Sequence, residues 1–524
     1  MYDIIIRKGT VIDGTGEKMT SCDVAIKDGK IVGLGDYKKD TAKNEINADG
    51  KYVVPGFVDI NNDSDHYLSL FEQPQAENLI RQGITTILCG TCGASLAPLL
   101  RGSLITIRKW VGSEKYNVNW RTFKEFLDIL EKKGFGVNFA SLTGWATLRR
   151  DLTNDEFRTL TKDEFDKAKK ILSQSLIDGS FGVSFGLGYS HEKMVGLSEM
   201  VPVGEMMVKE KALVSIHLRD ESANMLSALD EAIEVAKQSE ASIEISHFKI
   251  LGTPYWDQFG EALVKVDNAN HQGWKVNFDV YPYDINAQVL YLVLPEWIAV
   301  GGRQNLIKNL RHPSTRQKAL EDLKKNRHLY EHLIIADPAD KWMLAGKTLE
   351  EIASNEGISL EEALLKILEL TEDRTIVFSP NLSEKNVIHA MQSPYALICS
   401  NGAAYNLDQI KRGILVHPRA FGAMPRFLGH YVKQENIMDM EEGIAKITGR
   451  PAVKIGLKNR GLLKKDYWAD VVIFNPEKIM DRATITNPYQ YPDGIETVLL
   501  NGHLAYHKGL LDKTLHGKIL RKGK

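Results

Sequence analysis

The stretch VVPGFVDINNDSDHY, Val53–Tyr67, decides the fold. Its first eight residues are almost continuously apolar, which is typical of a strand buried on both faces of a parallel sheet. The chain then passes at once into amide, carboxylate and imidazole groups at Asn61, Asp63, Asp65 and His66. In a parallel barrel the functional side chains lie at the C-terminal ends of the strands. We therefore interpret this stretch as the first strand of such a barrel, with a site at its end.

The same pattern recurs along the middle of the chain. Amphipathic helical stretches such as TFKEFLDILEKKG and NMLSALDEAIEVAKQSE separate most of the apolar runs. Eight strands that alternate with helices predict an α/β protein with a (β/α)8 TIM-like barrel. The seven further strand candidates are TTILCGT, GVNFASLTG, FGVSFGLG, ALVSIHL, SIEISHFKI, WKVNFDVYPY and PYALICSNG.

The two ends of the chain differ from this middle. Both alternate apolar and polar residues around tight turns such as KDGK and Asn501–Gly502, which are hairpin signals. Because chain termini often lie close together, we expect residues 1–54 and 450–524 to build one small β-sandwich domain. The barrel then spans residues 55–449. A long gap before its last strand predicts an inserted lid at residues 284–345.

Composition excludes several classes of protein. The net charge of -2 gives no support for a nucleic-acid or membrane partner, and the chain has no apolar run of 18 residues. The N-terminus lacks the features of a signal peptide. Four unevenly spaced cysteines in 524 residues do not make a disulfide framework, so we expect a cytoplasmic protein. The oligomeric state stays open.

Three strand ends carry residues that bind zinc. Cys92 follows the second predicted strand, His217 ends the fifth and His247 ends the sixth. Taken singly, each is better explained as an ordinary buried residue. Together, a thiolate and two imidazoles at one barrel mouth make a three-ligand zinc site with an open position for water. We therefore predict one zinc ion, which suits amide hydrolysis.

Polar groups beside this set are candidates for binding substrate. Lys249 follows His247 by two residues and so shares its face of the strand. Tyr283 and Arg419 are further candidates, and cations together with a phenol would anchor a substrate carboxylate by charge-assisted hydrogen bonds. A structural salt bridge at the rim is an equally simple explanation for these residues.

Sequence blocks along nearly the whole chain resemble one family, the D-aminoacylase (N-acyl-D-amino-acid deacylase) family of the amidohydrolase superfamily. The combination of GTCGASLAPL with HPRAFG is specific to the family, whereas either block alone would be a weak signal. The blocks, in the order of the family, are YDIIIRKGTVIDGTG, VVPGFVDI, CGTCGASLAPL, SIHLRDES, EISHFKI, DVYPYD, HPRAFGAMPRFLGHYV and GLLKKDYWADVVIFNP.

The resemblance implies a barrel with a small β-sandwich and zinc-dependent deacylation of small N-acyl-D-amino acids. It would make Cys92, His217 and His247 the tight metal site, and it would give the carboxylate of the substrate to Lys249, Tyr283 and Arg419.

The chain departs from the family at two places. Asn61-Asn62-Asp63 stands where the family has His-x-His, and Ser400-Asn401-Gly402 replaces its Ser-Asp-Gly, whose Asp is the catalytic acid and base. An amide cannot take a proton from water near neutral pH. These departures imply that the second, weaker metal position is lost together with the usual base.

Three hypotheses account for the departures. In the first, Asp63 supplies the base, because the first and last strands are neighbours in a closed barrel; Asp65 and His66 are alternatives to it. In the second, the protein only binds N-acyl amino acids. In the third, the same scaffold hydrolyses a different amide. A cyclic-amide hydrolase is a further alternative. Such enzymes commonly bridge two metals with a carboxylated lysine on the fourth strand. The fourth strand candidate here, FGVSFGLG, contains no lysine, which argues against this alternative.

Overall fold

The computed structural model describes residues 1–113 and 116–523. Within those ranges eight strand positions form the predicted barrel, and each hydrogen-bonded pair of neighbours runs parallel. The third position has two short segments. In barrel order the strands are Phe57–Asp59, Ile84–Cys89, Asn138–Ser141 with Thr143–Gly144, Gly182–Gly186, Leu213–His217, Ile243–Ile245, Val276–Val280 and Ala396–Ile398.

Hydrogen bonds at the strand ends join the first barrel strand to the eighth. The backbone N–H of Asn401 donates to the carbonyl of Asn61 over 2.9 Å, and that of Asp63 donates to the carbonyl of Gly402 over 2.6 Å. The N–H of Ser400 donates to the Asp59 carboxylate over 2.8 Å. The barrel therefore closes at the polar cluster that follows Val53–Ile60, which places the two departures from the family pattern side by side.

Helices cover the outside of the barrel and bury their apolar faces against its strands in one large core. No helix among residues 1–113 and 116–523 is both long and apolar enough to cross a bilayer. The α-helices outside the insert are Ser69–Glu72, Glu77–Ile80, Phe123–Lys133, Trp145–Thr153, Lys162–Asp178, Leu197–Glu210, Met225–Ser239, Phe259–His271, Glu384–Gln392, Arg419–Arg426, Met440–Ile447 and Gly449–Ile455; the chain adds a π-helix at Phe427–Gln434 and 3-10 turns at Ile105–Ile107, Ser190–Glu192, Thr253–Gln258 and Leu407–Arg412.

The segment between the last two barrel strands folds as a separate layer over the barrel mouth. Its three described strands, Asn286–Val289, Ile334–Asp337 and Ile376–Ser379, form an antiparallel sheet with its own apolar core. Because Ile376–Ser379 pairs with both other strands, this layer extends past residue 345, the predicted end of the insert. Its helices are Glu296–Ala299, Gly302–Arg311, Pro313–Lys325, Leu349–Glu356 and Leu360–Thr371, with 3-10 turns at Leu290–Val293, Arg327–Leu329 and Trp342–Leu344.

The two chain ends build one β domain, as the sequence predicts. Tyr52–Pro55 pairs with Tyr2–Val11 on one side and with Val471–Phe474 on the other, so N- and C-terminal strands share a sheet. The apolar residues of both ends meet in one core. The remaining strands of this sheet are Thr20–Lys27, Lys30–Gly35, Ala42–Asn47, Ile495–Leu500, His503–His507 and Leu510–Leu511.

A buried polar cluster ties the β domain to the barrel. The Asp470 carboxylate pairs with the Arg460 guanidinium and accepts hydrogen bonds from the backbone N–H of Asn501 over 2.7 Å and the side chain of Asn138 over 3.2 Å. Asn138 begins the third barrel strand, and its side-chain oxygen accepts from the Asn501 amide over 2.9 Å. All four side chains are buried, so the two domains share one hydrogen-bonded network.

Candidate metal centre

Cys92, His217 and His247 converge at the C-terminal end of the barrel. The Cys92 Sγ lies 3.4 Å from the His247 Nε2, and that nitrogen lies 3.0 Å from the His217 Nδ1. All three donor atoms lie within 4.8 Å of one another, and all three side chains are buried. Among the described residues, no other group of three or more His, Cys, Asp or Glu side chains brings its donor atoms this close together.

The donor set fits zinc. With bonds of about 2.3 Å to sulfur and about 2.0 Å to nitrogen, a tetrahedral zinc ion holds its donor atoms roughly 3 to 4 Å apart. The separations of 3.4 Å and 3.0 Å between the donor atoms are close to that range. Two imidazoles and a thiol, all buried beside a cavity, also match the donor types of catalytic zinc sites with an open position.

Three residues of the site have a left-handed backbone conformation, which residues other than glycine rarely adopt. Cys92, His247 and Asn401 have φ angles of 53°, 38° and 45°. Such left-handed residues cost on the order of 1 to 3 kcal/mol each unless the surroundings hold them in place. The Asp279 carboxylate does so for His247, because it accepts the His247 N–H over 2.8 Å.

Asp279 is a structural residue of the site that the sequence did not reveal. Besides the His247 N–H, its carboxylate accepts the Asn61 side-chain amide over 3.1 Å and the Cys399 thiol over 2.9 Å. Burial raises the pKa of Asp279, and these donors and the nearby His247 partly offset that effect. Its only sequence signal is a carboxylate within the apolar run WKVNFDVYPY.

Glu221 is a second residue that the sequence did not single out. It lies four positions after His217 and accepts a hydrogen bond from the Lys249 ammonium over 2.6 Å. Its carboxylate also lies 3.1 Å from the His247 Nδ1. Burial alone would raise the pKa of Glu221, but Lys249 and the two imidazoles outweigh it and lower the pKa. A carboxylate on the far nitrogen of a ligand histidine fixes the ring and its tautomer.

Asp63 and Asn401 face each other beside the ligand set. The Asn401 side-chain amide donates to the Asp63 Oδ2 over 3.1 Å. The other carboxylate oxygen, Oδ1, lies 3.1 Å from the His66 Nδ1. Burial lowers the pKa of His66, but the carboxylates of Asp65 and Asp63 outweigh it and leave the pKa raised. The Asp63 carboxylate thus lies between the Asn401 amide, which donates to it, and the His66 imidazole, whose protonated form it stabilises.

The ligand set opens into a cavity. Of the described residues, those that line it include Asp63, Lys249, Asn401 and Arg419 from the candidates of the sequence, together with Glu221 and apolar residues of the insert. Arg419 and Asn401 also line a second cavity of about 610 Å³. The structure therefore brings the ligand set, the Asp63–Asn401 pair and two cations to one place.

Arg419 is a buried cation with hydrogen-bonding capacity to spare. Only 6% of the residue is exposed, and within the described chain its Nε and Nη1 have no hydrogen-bond acceptor. Its guanidinium stacks 4.5 Å above the ring centre of Tyr281. A buried donor without an acceptor costs about 1 to 3 kcal/mol. Such an unsatisfied donor is typical of a group that binds a ligand.

Tyr283 has a different environment from the one expected. Its hydroxyl donates to the Asp481 carboxylate over 3.3 Å and lies 3.5 Å from the carbonyl of Pro418. The ring also packs under the Arg426 guanidinium. Of the described residues that line the cavity, Tyr283 is not one. The Tyr283 hydroxyl therefore bonds to groups of the protein, whereas the sequence predicts that it binds the carboxylate of the substrate.

Comparisons with known proteins agree with this geometry. A model of the amidohydrolase family matches residues 413–506. The chain is 26% identical over 521 residues to the D-aminoacylase of Alcaligenes xylosoxydans xylosoxydans, covering 99% of this chain and 98% of that protein. It is 28% identical to the N-acyl-D-glutamate deacylase of the same organism, covering 99% and 96%.

Solved structures agree over the same length. A D-aminoacylase structure superposes with a TM-score of 0.83 at 26% identity, covering both chains completely. The N-acyl-D-glutamate deacylase of Bordetella bronchiseptica, solved with zinc and a phosphonate inhibitor that mimics the tetrahedral intermediate, gives 0.84 at 25% identity and 99% coverage of each chain. The fold and these likenesses show that the chain is similar over its whole length to D-aminoacylases and N-acyl-D-amino-acid deacylases of the amidohydrolase superfamily.

Proposed function

We propose that this protein hydrolyses the amide bond of N-acyl-D-amino acids, using one zinc ion held by Cys92, His217 and His247. The observation that carries the proposal is a buried Cys/His/His set that shares a cavity with the unsatisfied guanidinium of Arg419. The preference for the D configuration follows from the names of the relatives, which act on N-acyl-D-amino acids.

Arg419 and Lys249 bind the carboxylate of the substrate. The free Nε and Nη1 of Arg419 supply donors for a carboxylate oxygen, and such charge-assisted bonds are strong in a buried site. Lys249 lines the same cavity and is already paired with Glu221. A bound carboxylate would satisfy the guanidinium and fix the scissile amide beside the ligand set.

The zinc ion, when bound, supplies a Lewis acid for the scissile carbonyl and lowers the pKa of a water molecule. Asp63 accepts the proton of the attacking water at its carboxylate. It then returns that proton to the amine nitrogen of the departing D-amino acid. The products are the carboxylic acid of the acyl group and the free D-amino acid, and Asp63 is again a carboxylate. The Asn401 amide and His66 hold Asp63 in position for both transfers.

The environment of Asn61 supports a single metal ion. Its side-chain nitrogen donates to Asp279, and its side-chain oxygen accepts from the Thr91 hydroxyl over 3.0 Å. Both polar ends of the amide are therefore used inside the protein, on the strand where the family has its His-x-His. All four cysteines are free thiols, which supports the cytoplasm as the compartment.

Metal analysis combined with an activity screen tests the proposal. Purified protein should contain one zinc per chain by elemental mass spectrometry, and it should release free amino acid from some members of an N-acyl-D-amino-acid panel. The matched N-acyl-L-amino acids should stay intact. Zinc-loaded protein that cleaves none of the panel would contradict hydrolysis; if such protein still bound N-acyl amino acids in calorimetry, it would be a binding protein.

A further inference from the structure

A second cavity shares part of its wall with the cavity of the metal centre. Cys92 and Tyr189 line both the cavity of the metal centre and a larger side cavity of about 960 Å³. We call it the side cavity; its walls also include the cations Lys109 and Arg150 and four carboxylates, among them Asp155 and Asp373. Arg419 lines the cavity of the metal centre, and Lys109 lines the side cavity.

Lys109 lies against two aromatic rings. Its ammonium lies 3.9 Å from the ring centre of Trp110 and 3.8 Å from that of Tyr189. Among the contacts of the described residues, its ammonium has neither a hydrogen bond nor an ion pair. Arg150, on the same wall, is by contrast paired with Asp155 over 2.7 Å. Ring faces hold a cation in place, but they do not replace a carboxylate as a partner for a largely buried ammonium.

The two arms of an N-acyl amino acid must leave the scissile amide in different directions. One arm carries the amino-acid carboxylate, which the proposed function gives to Arg419 and Lys249. The acyl arm then lies against another part of the wall, and Cys92 and Tyr189 form the part that the cavity of the metal centre shares with the side cavity. The Tyr189 ring lies 4.8 Å from the His217 ring, tilted by 41°, so its contact with Lys109 places the ammonium one aromatic ring away from the ligand set.

We propose that the side cavity binds the acyl group of the substrate, and that Lys109 selects acyl groups that end in a carboxylate, such as a succinyl group. This inference rests on the proposed deacylation, because it assigns one arm of that substrate. A terminal carboxylate on a short acyl chain would give Lys109 a counter-ion. An acyl chain with a neutral end would leave the ammonium unpaired.

Two substrate pairs that differ only in one charge test the assignment. The first compares N-succinyl-D-leucine with its terminal amide, and the second compares N-acetyl-D-glutamate with N-acetyl-D-glutamine. We expect kcat/KM to favour the succinyl acid over its amide by about tenfold or more. Lys109→Met should bring that ratio close to one. Lys109→Arg, which restores the charge, should recover part of it.

A lysine at the rim provides the matched control. Lys308 also lines the side cavity but is exposed, so water screens its charge. Lys308→Met should keep most of the succinyl preference. Equal rates for the succinyl acid and its amide in the unchanged protein would overturn the inference. A loss of the glutamate-to-glutamine ratio in Lys109→Met, with the succinyl ratio kept, would overturn the assignment to the acyl arm.

Calorimetry separates failure of this inference from failure of the proposed function. Zinc-loaded Asp63→Asn protein, in which turnover is slow, should bind N-succinyl-D-leucine more tightly than its amide, and adding Lys109→Met should remove that difference. If the unchanged protein cleaves no substrate but this difference in affinity is present, the deacylation proposal fails and the Lys109 site stands. If N-acetyl-D-amino acids are cleaved and neither readout distinguishes acid from amide, the Lys109 site fails and deacylation stands.

Discussion

A carboxylate and an amide meet where the first barrel strand joins the last. Asp63 lies on the side where the family has histidine, and Asn401 lies where the family has its catalytic aspartate. Their side chains are hydrogen-bonded over 3.1 Å. Because the two positions adjoin in space, moving the acid from one strand to the other keeps a carboxylate at nearly the same place beside the ligand set.

Replacing Asp63 with Asn tests that exchange. We expect kcat to fall by about 10²- to 10⁴-fold, the usual contribution of a general base, while the zinc content stays at one per chain. Steady-state kinetics and elemental analysis give both quantities. The control is the double variant Asp63→Asn with Asn401→Asp, which should recover part of the rate. An undiminished rate in the single variant would remove Asp63 from the mechanism.

Arg419 should act on binding. Arg419→Met removes the guanidinium that has unused donors, so KM for N-acyl-D-amino acids should rise by about 10- to 100-fold, as expected for lost hydrogen bonds to a charged group. Arg419→Lys keeps the charge without the fork and should lie between the two. A KM unchanged in Arg419→Met would mean that the carboxylate binds elsewhere.

The sequence predicts the candidate metal ligands, and the structure brings their donor atoms together, but the residues that support them could not be predicted. Cys92 and His217 follow apolar runs, and the ends of parallel strands must meet at one barrel mouth. Glu221 and Asp279 support the ligands through contacts that depend on loop path and strand register, which no local pattern encodes. The sequence proposes Tyr283 for the substrate because its phenol follows the seventh barrel strand, but its neighbour Asp481 comes from a part of the chain that the sequence does not place nearby.

At the scale of elements, the helix Lys162–Asp178 shows how local sequence fixes a boundary. The Thr161 hydroxyl accepts the Glu164 N–H over 3.3 Å, and the Glu164 carboxylate accepts the Thr161 N–H over 2.8 Å. This capping box satisfies two backbone donors that the helix itself cannot. The insert shows the opposite case, because its last strand is assigned only by pairing with strands far away in the chain.

Thr161→Ala should lower the free energy of unfolding by about 1 kcal/mol, the usual cost of a lost N-cap. Urea titration followed by circular dichroism measures the change. The nearby Thr159 is exposed, and Thr159→Ala should change stability by less than about 0.5 kcal/mol. A cost for Thr161→Ala no larger than that of Thr159→Ala would mean that the cap does not contribute.

The same capping box predicts a dependence on pH. The hydrogen bond from Arg158 and then the Thr161 N–H lower the pKa of Glu164 from its usual 4.5 to about 2. Because the pKa is lower in the folded state, the contribution of Glu164 is complete above about pH 4.5 and is lost as the pH falls toward 2. Stability measured between pH 6 and pH 2.5 should fall less steeply in Glu164→Gln. Equal slopes would contradict this origin.

At the scale of the molecule, the buried Asp470 cluster joins the β domain to the barrel. Asp470→Ala leaves the Arg460 charge unpaired inside the protein, so the free energy of unfolding should fall by about 3 to 5 kcal/mol. Chemical unfolding measures the loss, and Asp470→Asn, which keeps the shape, should cost less. A change below about 1 kcal/mol for Asp470→Ala would show that water reaches Arg460 and compensates it.

The sequence predicted the assembly of the domains better than the contacts between them. Alternating patterns at both ends predict one β domain from the two chain ends, and Tyr52–Pro55 does pair with a strand from each end; the bounds 1–54 and 450–524 stay a prediction. The contact of Asn138 with Asp470 could not be predicted, because it links positions 332 residues apart with no shared motif.

That shared sheet affects how the protein can be synthesised. A ribosome releases Tyr52–Pro55 long before the strand Val471–Phe474, which completes its pairing. Until then the edge of the nascent sheet is open to other chains, a known route to aggregation. A premature stop just before Val471 would therefore keep every candidate site residue and still leave one edge of Tyr52–Pro55 without its partner strand.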